Sequence, residues 1–421
     1  MIFIILIVII LADFFLESLL DLLNLKNLST KLPDELKDLY NAEKYVQSQS
    51  YERVNIRFGL ITGSFNLLLV LSMFFFDGFL FVNNLAASIS SHPILQPLLF
   101  FAIIGLALDL LNTPFAVYDT FVIEQRFGFN KTTPLLFVVD KLKGWLLSVI
   151  MGGGLMSLIL WFYNQTTAFN FQFASFNIQF PFHFWLSTWL LITFFMLFMA
   201  FFYSTLIVPL FNKQKPLDEG ELKQQITLSS EQAGFRIDKI YTIDGSKRST
   251  KANAYFSGLG RKKRIVLYDT LINELSVDEI VAVLMHEIGH FRKKHIITGM
   301  IISVIQTGVM LFILSLFVSL PQLSQALGVE DACFHIGLIT FGILYSPFSV
   351  IIGLLLNKVS RKNEFQADDF AASFGMNEAL IGALKKLSVN NLSNLSPHPL
   401  YVFFHFSHPT LLQRIRNLIV S

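Results

Sequence analysis

Apolar residues gather into seven runs, near residues 1–22, 60–85, 94–114, 145–163, 182–211, 296–320 and 332–357. About 20 apolar residues in helical form cross the hydrocarbon of a bilayer, so each run predicts a transmembrane helix. The first run has no Lys or Arg ahead of it and no small-residue cleavage site behind it, which predicts a retained helix rather than a signal peptide. Between the fifth and sixth runs the pattern changes. A helical run around 218–234 is followed by short apolar stretches at 235–243, 252–258 and 264–269, separated by polar turn sequences, which predict three strands. Ser276 and Glu279 then have the capping-box spacing and open a helix that is apolar on nearly every face. The organisation expected is therefore five membrane helices with their loops in 1–211 and a small soluble α/β domain in 212–295. Membrane helices six and seven follow in 296–357, and soluble terminal helices in 358–421.

Composition agrees with an α-helical polytopic membrane protein: of 421 residues, 53% are hydrophobic and 15% charged, which excludes a disordered chain, a fibrous rod and a secreted disulfide scaffold. A net charge of +2 offers no positive field for phosphate, so no nucleic-acid partner is expected. The lone Cys333 can form neither an internal disulfide nor a thiolate metal site. Charge placement says more than net charge. The first loop holds six Lys and Arg, the third four, the fifth fifteen and the tail seven, which accounts for all 32. The loops near 86–93, 164–181 and 321–331 hold none. Because cations beside membrane spans stay in the cytoplasm, the amino terminus is expected outside and the carboxy terminus inside. The Arg261–Arg264 cluster reads as a solvated turn near an anionic leaflet. Asp13, Glu17 and Asp21 recur every four residues on one stripe of the first span, with Asp77 and Asp109 expected in the second and third.

Three polar residues interrupt the apolar helix that Ser276 opens: His286, Glu287 and His290. Two His four apart project from one helical face and suit a single Zn²⁺, and the Glu beside the first is placed to take a proton from a metal-bound water. A catalytic zinc site takes three protein ligands. Glu364, 74 residues beyond His290, is the candidate third, because two membrane crossings in that interval return the chain to the same side. Asp368, four residues later on the same face, is placed to orient a ligand imidazole. Asp369, His295, His398, His405 and His408 are rivals on that side, whereas Glu330 falls in an external loop.

The sequences His286-Glu-Ile-Gly-His290, Ser360-Arg-Lys-Asn-Glu364-Phe-Gln-Ala-Asp368, Asn253-Ala-Tyr-Phe-Ser-Gly258 and Ser407-His408-Pro409 with Arg414 resemble the type I CAAX prenyl proteases, membrane zinc metallo-endopeptidases. Thr113-Pro-Phe115 through Tyr118, Phe121-Val-Ile-Glu124 and Gly128-Phe-Asn-Lys131 extend the resemblance into the membrane half. It implies seven helices around a water-filled chamber and a gluzincin-like α/β domain on the cytoplasmic side. It implies one zinc per chain on His286, His290 and Glu364, with Glu287 as base and Asp368 as support. It further implies that Asn253, Ala254, Tyr255 and Phe256 lie on an edge strand that binds an extended substrate. His408 is implied as an oxyanion stabiliser, and Arg414, also close to the substrate, as the partner of a carboxylate. The expected partners are the lipid bilayer and a peptide or protein substrate, prenylated or related to that class. A general quality-control protease is the alternative among enzymes. A transporter or structural membrane protein is the alternative outside them. An intramembrane protease is disfavoured, because the His pair precedes the cationic boundary Phe291-Arg-Lys-Lys-His295.

Overall fold

In hydrocarbon a chain has no water to bond, so each apolar run must satisfy its own backbone by winding into a helix. The computed structural model describes residues 1–29, 41–165, 169–173, 176–235, 237, 239–257 and 264–420. Along the chain, α1 (Ile2–Asn27) and α2 (Ala42–Phe75) lead to a short apolar α3 (Gly78–Ile89). Then come α4 (Leu95–Glu124), α5 (Pro134–Asn164), a two-stranded hairpin of β1 (Phe169–Phe173) and β2 (Phe176–Phe180), and α6 (Phe182–Phe211). The soluble segment contains β3 (Gln214–Pro216), α7 (Glu221–Gln232), β4 (Lys239–Ile243), β5 (Ala254–Ser257), β6 (Arg264–Tyr268), α8 (Asp269–Glu274) and α9 (Val277–Arg292). Next are α10 (His295–Phe317), the short α11 (Pro321–Gln325), and α12 (Phe334–Ala372). The chain ends with α13 (Asn377–Asn390), α14 (Pro399–His405) and α15 (Leu411–Val420). Seven of these helices, α1, α2, α4, α5, α6, α10 and α12, are long and apolar enough to cross a membrane.

The second span stops earlier than its composition suggests. Asp77 adopts a left-handed conformation (φ 52°), one that Asp tolerates better than most residues, and a Cβ on Gly78 would meet Met73 Sδ at 2.6 Å. The run expected to continue to residue 85 is thus split, and Asp77 occupies the turn between α2 and α3 rather than a span. Asp13, Glu17 and Asp109 have partners, as ionisable groups at membrane depth require. Asp109 meets Lys141 Nζ at 2.8 Å and accepts from Trp145 Nε1 at 3.0 Å. Asp13 accepts from Ser346 Oγ of α12 at 2.6 Å, and Glu17 meets His405 Nε2 of α14 at 3.3 Å. The stripe on α1 therefore faces α12 and the terminal helices.

The soluble sheet has strand order β3-β4-β6-β5. Strands β4 and β6 run parallel, whereas β3 pairs antiparallel with β4 and β5 antiparallel with β6, in the register Ala254↔Leu267. Ile265, Val266 and Leu267 of β6 are fully buried. Ile265 and Leu267 share one core cluster with Ile280, Leu284 and Ile288 of α9, so the polar residues of that helix are fixed by its apolar ones. Strand β5 is left at the edge. Arg261 to Lys263 and Gly258 lie outside the described residues, and Arg264 stacks its guanidinium 5.3 Å over the Tyr241 ring.

Two expectations are corrected by the strands and helices. The loop between the fourth and fifth spans carries the β1–β2 hairpin, and a fourth strand of the soluble sheet, β3, follows α6 directly. The seventh span does not end near residue 357 but continues without interruption to Ala372. Its 39 residues extend about 58 Å, roughly twice the thickness of the hydrocarbon. Glu364 and Asp368 ride on its polar extension past residue 357.

Candidate metal centre

Helix α9 begins with the capping box read from the sequence: Ser276 Oγ accepts from Glu279 N at 3.3 Å, and Glu279 Oε2 accepts from Ser276 N at 2.8 Å. This fixes the first turn and hence the rotation at which His286 and His290 leave the helix. Gly289, between them, fixes the approach of the partner helix. A Cβ there would lie 3.0 Å from Ala367 Cα and 3.0 Å from Phe370 Cβ, so α9 and α12 touch backbone to backbone. That contact brings Glu364 onto the histidines.

His286 Nε2 and His290 Nε2 are 3.2 Å apart, and Glu364 places Oε2 3.5 Å from the first and Oε1 3.3 Å from the second. Ligand atoms held tetrahedrally about 2.0 to 2.1 Å from one ion stand about 3.3 to 3.4 Å apart, which is the spacing seen. The proton positions point the same way. His286 donates from Nδ1 to Asp368 Oδ1 at 2.8 Å, so in the neutral ring Nε2 is a lone pair. His290 Nδ1 lies 3.1 Å from His295 Nδ1, whose other nitrogen donates to Gln366 Oε1 at 2.9 Å, which leaves His290 Nε2 likewise bare. Two lone pairs and a carboxylate aimed at one point repel one another unless a cation sits between them. These three residues are the group that could hold a metal among the described residues.

His286, Glu364 and Asp368 are buried, the last completely. Burial alone would lower the His286 pKa, but hydrogen bonds to Asp368 and Glu364 outweigh it and raise it above the ordinary 6.5, so a proton and a metal ion compete for Nε2. Arg414 grips Asp368 with two nitrogens, at 2.9 Å (Nε) and 2.6 Å (Nη2), and lies 3.7 Å from Glu364. Its side chain is only 12% exposed. His408 is different: 62% of its side chain is exposed, with Nε2 3.3 Å from Glu364 Oε1 and Nδ1 2.9 Å from Ser407 Oγ. Glu287 is partly exposed on α9.

The chain's first segment, residues 21–213, matches the family model described as the CAAX prenyl protease N-terminal region with five membrane helices; residues 216–419 match peptidase family M48. CAAX prenyl protease 1 of Saccharomyces cerevisiae is 34% identical, over 97% of this chain and 93% of its own. The Dictyostelium discoideum homologue is 35% identical, over 94% and 90%. The crystal structure of S. mikatae Ste24p superimposes with a TM-score of 0.91, at 32% identity and 99% coverage of both chains. The protein belongs to the CAAX prenyl protease family. It is an integral, multi-pass membrane metalloendopeptidase that acts on a protein or peptide. The transporter and purely structural readings fall with that finding.

Within this prenyl protease scaffold the two family segments meet at β3, where the membrane helices hand over to the sheet. Four of the five rivals for the third position go elsewhere, and the fifth, His408, stands beside Glu364 itself. Asp369 accepts from Asn417 Nδ2 at 2.6 Å, His398 caps α14 through Leu400 N at 3.3 Å, and His405 pairs with Glu17. His295, weighed in the sequence as a ligand, stands behind His290 instead. Gln366 was not foreseen at all. It is two residues beyond Glu364 and so on another helical face, and only the angle between α10 and α12 brings it to His295.

Proposed function

We propose that this protease binds one Zn²⁺ on His286, His290 and Glu364 and uses it to cleave prenylated proteins near their carboxy terminus. The observation that carries the reading is the tetrahedral spacing of three ligand atoms, with Asp368 on Nδ1 of His286. Bound zinc supplies Lewis acidity, which makes a water nucleophilic near pH 7 and polarises the scissile carbonyl. Glu287 takes the proton of the attacking water and returns it to the leaving amine. Ser407 Oγ lies 2.9 Å from His408 Nδ1; with Ser407 as the donor, the exposed Nε2 of His408 carries a proton to offer the developing oxyanion. Arg414 acts from behind by locking Asp368. The free edge of β5 offers the backbone of Asn253, Ala254, Tyr255 and Phe256 to an extended peptide. The acids of α1, turned toward α12 and α14, suit a water-filled interior around which the substrate's tail is handled. With the cations one-sided, the metal site and carboxy terminus belong in the cytoplasm and the amino terminus outside.

A farnesylated peptide and its unmodified twin, offered to the purified full chain, separate this specificity from general proteolysis. Faster cleavage of the farnesylated form supports the proposal; equal rates would assign the protein to broad membrane quality control. Glu287→Gln should keep zinc and lose at least about a thousandfold in turnover. Glu364→Ala should lose the metal, and full zinc content in that variant would move the third ligand elsewhere.

A further inference from the structure

The membrane-half residues Phe121-Val-Ile-Glu124 and Gly128-Phe-Asn-Lys131 take no part in the metal centre, yet they converge on the start of the edge strand. Lys251, three residues before β5, reaches out of the soluble domain. Its Nζ lies 3.0 Å from Glu124 Oε2 and 2.9 Å from Tyr51 OH, and 4.5 Å above the Phe129 ring. Tyr51 of α2 donates to Glu124 Oε1. Glu124 closes a π-helical turn, Asp119–Glu124, at the end of α4, and its carbonyl accepts from Phe129 N at 2.8 Å and Asn130 N at 3.2 Å. The loop so formed pairs with the segment before β5. Lys131 N donates to Arg248 O at 3.0 Å and Thr250 N to Phe129 O at 3.1 Å. Arg248 grips Asp140 of α5 with two nitrogens, at 2.8 and 2.9 Å. Four residues beyond Lys251, Tyr255 OH meets Ser204 Oγ of α6 at 3.2 Å.

The edge strand is therefore tied to α2, α4 and α5 at one end and to α6 in its middle. An ammonium enclosed by a carboxylate, a phenol and aromatic faces defines a direction and a distance, which apolar packing of the same volume does not. A peptide added to β5 inherits that placement. Misplacement of a reacting carbonyl by about 1 Å costs on the order of a hundredfold in rate. We propose that Lys251, Glu124 and Tyr51 form a positioning clamp that sets the register of β5, so that a peptide paired to it presents its scissile bond to the metal centre. The clamp rests on the reading of β5 as the strand that takes substrate.

The test compares Lys251→Met, Lys251→Arg and Glu124→Gln in the full-length detergent-solubilised protein, with kcat, KM, zinc content and unfolding temperature measured for each. The clamp predicts that Lys251→Met and Glu124→Gln lose about ten- to a hundredfold in kcat at near-normal KM and zinc content. Lys251→Arg should recover most of the loss. The proposal is overturned if kcat stays within twofold, or if Lys251→Arg is as poor as Lys251→Met and activity merely tracks unfolding temperature. Should Lys251→Met not fold, Glu124→Gln decides by the same criteria. A substrate with N-methylated backbone amides isolates the underlying reading. If methylation leaves cleavage unchanged, β5 does not take the peptide; if methylation slows cleavage while the clamp variants do not, the clamp alone is wrong.

Discussion

Gly289 shows how much a single position without a side chain decides. It sits between the two histidines on the face that meets Ala367 and Phe370, and any Cβ there has 3.0 Å to two carbons of α12. Gly289→Ala should force the helices apart, at about 1–3 kcal/mol of overpacking. The displaced Glu364 would then weaken metal binding, so equilibrium zinc titration of the folded variant should show at least about a tenfold loss of affinity. Wild-type affinity in that variant would mean that other contacts fix α12. Side chains that share a helical face with the chemistry were legible in the sequence: His286 with His290, and Glu364 with Asp368, each follow from a spacing of four. Gly289 lay inside the motif without an assigned task, because the need for a glycine is set by Ala367 of another helix, 78 residues away. His295 and Gln366 escaped for a related reason. Their partnership depends on the crossing of α10 and α12, which no local spacing encodes.

Among the elements, α9 was the best announced, since its cap, its apolar faces and its start are all local features. Its cap also reaches a distant helix: Lys386 of α13 donates to Glu279 Oε2 at 2.7 Å, and a Cβ on Gly382 would lie 2.9 Å from Glu279 Oε1. Burial works against the ionised carboxylate, but hydrogen bonds from Lys386 and Ser276 outweigh it and hold Glu279 below the usual 4.5. A carboxylate depressed in the folded state binds fewer protons than it does unfolded. Its stabilisation is whole well above pH 4.5 and is lost as pH falls below that value through the folded pKa. The wild type should therefore exceed Glu279→Gln by on the order of 1 kcal/mol at neutral pH, and the gap should close as the pH falls below 4.5. Unfolding scans of both proteins across that range give the answer; a gap independent of pH would show that the carboxylate's charge contributes nothing. The ends of the long helices were harder to read. The extension of α12 past residue 357 is polar enough to resemble a separate soluble helix, and the break at Asp77 lies within a run that stays apolar on both sides.

At the scale of the whole molecule the fold sorts the loops into two groups, and the charges follow. Segments without cations meet each other: Tyr163 OH joins Ser319 Oγ at 3.1 Å, His335 Nε2 joins Asn83 Oδ1 at 2.8 Å, and a Cβ on Gly328 would lie 3.5 Å from Asp77. Segments with cations also meet each other. Lys251 reaches Glu124, Arg248 reaches Asp140, Asn27 Nδ2 donates to Ser396 O at 2.8 Å, and Arg361 Nη1 donates to Phe406 O at 2.6 Å. A bundle whose two ends differ this completely in Lys and Arg has one favoured orientation, with the cationic end held back from translocation. The single native cysteine makes the orientation measurable. In a Cys333→Ser background, Ser91→Cys lies on the cation-free end and Gln224→Cys on the exposed face of α7. A membrane-impermeant thiol reagent applied to intact, outside-out vesicles should modify Ser91→Cys at once and reach Gln224→Cys only after permeabilisation. The reverse pattern would place the metal centre on the far side of the membrane and remove the cytoplasmic protein pool from its substrates.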